Sequence, residues 1–119
     1  GLRGVVFQET EFSPDNKTAD EDFIKLLEKF TQLKAAETNL VKIGLSPHAP
    51  YTVSRKLFEK IAEYAVGENV KISIHAAESA QEHGLMTRGE GFFADIYKKY
   101  DFEWHNPKMS SIEYLDKIG

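Results

Sequence analysis

The sequence predicts an α/β fold of about three βα units with parallel strands, and three observations carry that expectation. Short apolar runs with strand-like alternation occur three times, helical patterns separate them, and the strand starts lie about 30 to 40 residues apart. That spacing leaves room for a crossover helix between strands, which parallel pairing requires. A doubly wound open sheet and a (β/α)8 barrel share this rhythm; a whole barrel takes about 250 residues, and the chain has 119.

The expected strands are Arg3 to Gln8, Val41 to Ser46 and Val70 to His75. Phe23, Leu26, Leu27, Phe30 and Leu33 recur at helical spacing after the turn-forming cluster Ser13-Pro14-Asp15-Asn16. Asp20 to Asp22 then read as charge complementing the N-terminal end of that helix dipole. Leu57, Ile61, Ala62 and Ala65 mark a second helix, with Ser54 placed as N-cap and Gly67 as the stop. Phe92, Phe93, Ile96, Tyr97 and Tyr100 mark a third after Arg88-Gly89-Glu90-Gly91, a loop without the P-loop pattern. A terminal helical pattern runs from Ile112 toward Gly119, and both chain ends read as cut from something longer.

Composition narrows the function classes. A net charge of -4 argues against a nucleic-acid surface, which needs a basic stripe. No apolar run approaches the roughly 18 residues of a membrane span, and no signal peptide is visible, so cytoplasm is the default expectation. The absence of cysteine excludes disulfides and thiolate metal sites.

Side-chain parity points to where chemistry would sit. Val41, Ile43 and Leu45 share one face of the second strand, with Lys42, Gly44 and Ser46 on the other. In the third run Ile72 and Ile74 alternate with Lys71, Ser73 and His75, so His75 ends the polar face. Pro47 and Pro50 stop the second strand and hold His48 in a stiff turn beyond it. An imidazole so mounted suits a hydrogen bond to substrate, and equally a structural turn. His75 can ligate a metal and Glu78, three residues on, can shuttle protons; the alternative is a helix-capping Glu78 and a His75 that plugs the strand end. His83 reads as solvated and His105 as a loop residue, and no spacing among the four histidines forms a recognised metal motif. Tyr51, Phe92 and Trp104 would suit stacking on a flat heterocycle, although the core is the first expectation for Phe92.

Ser46-Pro47-His48-Ala49-Pro50-Tyr51-Thr52, a helix, then Ile74-His75-Ala76-Ala77-Glu78-Ser79 resembles the middle of the amidohydrolase superfamily. The branch is that of chlorohydrolases and aminohydrolases, and the layout is similar to the aminodeoxyfutalosine and S-adenosylhomocysteine deaminase groups. Glu82, the loop ending in Gly91-Phe92, Trp104 near Pro107 and Glu113-Tyr114-Leu115 continue the match, which runs from Lys42 to Gly119. The resemblance implies strands three to five of a TIM barrel, so residues 1–119 would be one incomplete barrel segment. It implies His75 as a metal ligand, His48 as a substrate contact and Glu78 as the acid/base. One divalent metal, zinc or iron, would supply the hydroxide that attacks a ring carbon of a purine- or nucleoside-like substrate and expels ammonia.

The family also uses a His-x-His pair on its first strand, a histidine on its sixth and an aspartate on its eighth. This sequence has no His-x-His. The expectation is therefore that the chain alone holds metal poorly, does not turn over, and self-associates or pairs with missing barrel segments. Two other readings stand beside it: a chlorohydrolase or cyclic-amide hydrolase using the same site, and a non-catalytic α/β binding module.

Overall fold

A computed structural model describes residues 3–76 and 79–118. Within them the protein is an α/β fold with a two-stranded parallel sheet and five α-helices. Strand β1 (Gly4–Glu9) pairs with β2 (Val41–Ser46), setting Gly4 opposite Val41 and Glu9 opposite Ser46. Helix α1 (Ala19–Lys34) is the crossover between them. Its first turn carries Asp20, Glu21 and Asp22, as the sequence expects, and Asp20 also pairs with Lys56 and Lys60.

Helix α2 (Arg55–Glu68) starts where Ser54 accepts a hydrogen bond from the Leu57 amide, the N-cap expected from sequence. Gly67 is not its stop. It lies inside the helix with open space around it, and the chain turns out at Asn69, which takes the left-handed conformation (φ 53°). Asparagine tolerates that region better than other side chains, so it serves here in place of glycine.

Leu26 and Phe30 of α1 and Leu57, Phe58 and Ile61 of α2 close over Ile43, Leu45 and Val53. Each such side chain contributes roughly 1.5–3 kcal/mol when fully buried. A second apolar cluster joins α3 (Ala80–Arg88) and α4 (Phe92–Lys99) through Leu85, Ala94 and Tyr97, with Tyr51 and Trp104 against it. Phe92 departs from its expected place: it is exposed, edge-on to Phe93. Helix α5 (Ser111–Ile118) is tied to α3 by a hydrogen bond of 2.6 Å from Ser111 to the buried Glu82, and to α2 by Tyr114 edge-on to Phe58.

The third expected strand is the main departure. Residues 70–75 run parallel to β2, but their pairing reduces to one bridge, Leu45 opposite Ile72. Leu45 donates to the Lys71 carbonyl (3.0 Å) and accepts from the Ser73 amide (3.1 Å). The next rung would need an amide at position 47, and Pro47 has none. One rung earlier, the Ile43 amide is taken by the Glu37 carboxylate at 3.0 Å. That donor holds the Glu37 carboxyl below the usual carboxylate range, with Lys42 and Lys34 assisting.

Candidate functional site

Three side chains converge at the C-terminal ends of these strands. Glu9 is the last residue of β1 and lies in register with Ser46, so it shares the face that carries Lys42, Gly44 and Ser46. Beyond Ser46 the chain is cross-tied. The Thr10 amide donates to the Ser46 carbonyl (2.9 Å), and the His48 amide donates to the Thr10 hydroxyl (3.0 Å). The His75 amide donates to the His48 carbonyl (2.9 Å), which sets the two histidines side by side. Their ring centroids are 5.3 Å apart, and His75 Nε2 lies 3.6 Å from Glu9 Oε1.

His48 is half-buried, within a turn whose Pro47, Ala49, Pro50 and Thr52 are buried. Its Nδ1 is 2.8 Å from the Thr52 hydroxyl, which in turn can donate to the Ala49 carbonyl at 3.4 Å. With the hydroxyl proton so directed, Nδ1 carries the imidazole proton and Nε2 carries the lone pair. His75 and Glu9 are more open, with 58% and 48% of their side chains exposed. One ligand atom each from Glu9, His48 and His75 lies within 4.8 Å of the others. Two imidazoles and a carboxylate are donors that a borderline divalent ion such as zinc accepts.

Of the residues singled out from sequence, His48 and His75 are brought together. Glu78 lies outside the described residues. Ser79, beside it, caps α3 by accepting from the Glu82 amide. His83 is exposed on α3, and His105 is an exposed loop residue beside the cavity between Trp104, Arg55 and Tyr114.

Residues 2–95 match the amidohydrolase family. The chain belongs to that family. It is 30% identical over 127 residues to an aminodeoxyfutalosine deaminase of Deinococcus radiodurans, a match covering 99% of this chain and 30% of the relative. Among solved structures it resembles the Helicobacter pylori aminofutalosine deaminase, with a TM-score of 0.78 and 26% identity over 97% of this chain and 29% of that one. An adenosine deaminase from Xanthomonas campestris with bound zinc matches at a TM-score of 0.61 and 25% identity, over 98% of this chain and 23% of that one. The chain thus spans between 23% and 30% of the length of these amidohydrolases.

Glu9 is the site residue that the sequence reading missed. Parity marked the polar face on the second and third runs, but on β1 the face that ends at Glu9 also carries Val5 and Phe7, and only the register with β2 assigns Glu9 to the site. No helix among the described residues is long and apolar enough to cross a membrane.

Proposed function

We propose that this amidohydrolase chain supplies strands three to five of a (β/α)8 barrel whose whole protein deaminates a purine- or nucleoside-like heterocycle. The observation that carries this reading is the meeting of His48 and His75, 5.3 Å apart, at the strand ends of a chain whose relatives are deaminases. Barrel enzymes place their chemistry at that end.

His75 is the residue we assign to the metal, and His48 the one we assign to substrate. A half-buried imidazole held through Nδ1 by Thr52 presents Nε2 to accept a hydrogen bond from an N–H or O–H group of the substrate. Glu78, from its place in the motif, takes a proton from the attacking water and returns it to the departing amine. The zinc-containing relative supports a divalent ion here, and such an ion makes water acidic enough to act as nucleophile near neutral pH. Among the described residues β1 has β2 as its one strand neighbour. The other edge of β1 is where a further barrel strand would pair, and in the separate chain that edge favours self-association. By itself this chain does not turn over, because the family's His-x-His pair is not in it.

A chimera tests this. The matching segment of the Helicobacter pylori deaminase is replaced by this chain, and zinc content and ammonia release from an adenosine-type nucleoside are measured. The expected result is turnover in the chimera, none from the chain alone, and a loss of about 10²-fold or more with Glu78→Gln. A folded, zinc-loaded chimera indifferent to Glu78→Gln would sink the assignment.

A further inference from the structure

We infer that Glu9, His48 and His75 form a three-donor site for a zinc-like divalent cation in this chain by itself. The inference rests on the proposed function for the kind of ion and shares His75 with the family's ligand set; the places of Glu9 and His48 beside it are read from the geometry. Neither Glu9 nor His48 belongs to that set, and the sequence alone led to the opposite expectation, one ligand and poor retention.

Three features support the site. The first is spacing. Tetrahedral zinc with bonds of about 2.0–2.1 Å sets its ligands about 3.3 Å apart. His75 Nε2 and Glu9 Oε1 stand at 3.6 Å, and all three ligand atoms fall within 4.8 Å. The remaining closure, about 1.5 Å at most, is within reach of the two exposed side chains, whose rotamers can adjust.

The second is the state of His48. Metal-bound histidines typically donate their other ring N–H to a fixed acceptor, which sets tautomer and ring orientation. Thr52 is that acceptor, at 2.8 Å from Nδ1, and its own proton has the Ala49 carbonyl to go to. Nε2 is thereby left as the donor for an ion.

The third is preorganisation of the backbone. Thr10 to Ser46, His48 to Thr10 and His75 to His48 are hydrogen bonds that lock the three ligand-bearing segments together before any ion arrives. The bland alternative is an exposed His75–Glu9 ion pair of small energetic consequence. A pair of that kind has no need of His48.

The experiment is a zinc titration of the full chain by equilibrium dialysis, repeated with cobalt to follow its absorption. About one ion per chain is expected, with a dissociation constant in the micromolar range. Glu9→Gln, His48→Gln and His75→Ala should each weaken binding about tenfold or more, whereas His83→Ala on exposed α3 leaves it unchanged. Circular dichroism of each variant separates lost ligands from lost fold. Should a variant unfold, ring-nitrogen NMR of the wild-type chain decides, since zinc must shift His48 Nε2 and not Nδ1. Uptake below about a tenth of an ion per chain at a hundredfold excess over that constant overturns the site. So does uptake untouched by Glu9→Gln in a folded variant. Zinc binding of the expected pattern with an inactive chimera would leave this site standing and remove the deaminase reading; an active chimera without it would do the reverse.

Discussion

His48 and His75 reach the same site on unlike supports. Around His48, residues Pro47, Ala49, Pro50, Thr52, Val53 and Ser54 are buried, two prolines stiffen the turn, and Thr52 fixes the ring. Tyr97 adds a brace from the second apolar cluster by donating to the Tyr51 carbonyl. Around His75 the chain is exposed from Lys71 to Ser73, and among the described residues its backbone bonds to the β2 side are those to Leu45 and His48, with the exposed Glu9 beside the His75 ring. One half of the site is therefore built in, and the other is leaned against it. Local stability should follow the same division, since opening free energies scale with buried contacts and protected hydrogen bonds.

The comparison can be broken most forcefully at Leu45, which is fully buried and bonds the 70–75 segment through both backbone groups. Leu45→Ala is expected to cost about 2–5 kcal/mol by chemical denaturation, enough to loosen both supports together. Gly44→Ala attacks the weaker half. An added Cβ would stand 2.6 Å from the Phe7 ring and 2.7 Å from the Lys71 carbonyl, so the 70–75 segment must retreat. The expected cost is about 1–3 kcal/mol, with faster amide exchange at Ser73 and His75 and little change at Thr52. Equal acceleration at all three would erase the distinction between the supports.

Alkaline pH attacks the stronger half. Burial pushes the Tyr97 hydroxyl well above its ordinary value of 10.0, and burial pushes Tyr114 up to about 12. Groups with raised folded values contribute stability that is whole below pH 10 and fades as pH rises through the folded value. Unfolding should therefore set in above about pH 10, with Tyr114 alone accounting for roughly 2–3 kcal/mol. Tyr114→Phe should move that onset upward in a denaturation series against pH; an onset that stays put would mean that the ring is less enclosed than it stands here. The smallest effect is expected from Pro47→Ala, worth under about 1 kcal/mol. It restores an amide where the ladder lacks one, so that amide should become exchange-protected and sharpen the pairing of residues 70–75.

How far the sequence foretold this arrangement depends on the kind of signal. Val41–Ser46 alternates cleanly and forms β2 with the expected bounds; β1 is shifted from its expected span by one residue. Ser54 is a local cap with a local mechanism, and it is where it was expected. Val70 to His75 alternates just as well yet makes one bridge, because the limiting residue, Pro47, sits just past the end of the neighbouring strand. A proline was legible as the end of its own strand but not as a gap in the next one's ladder. Glu9 was invisible for a related reason. Nothing about a glutamate after Gln8 marks it, and its role appears only when the β1–β2 register is known. The Gly67 stop failed on competition between two residues two apart, of which Asn69 took the left-handed turn.

The carboxylate of Glu37 and the ring of Pro47 have a joint consequence. Between them they leave Leu45 as the place on that edge of β2 where a neighbouring chain can dock, a slot one rung long with a stop at either end. What docks there is measured by the slot and not by its own length. A segment with stronger strand propensity than residues 70–75 would gain no further grip, and its last residue would still be delivered to the same spot beside His48.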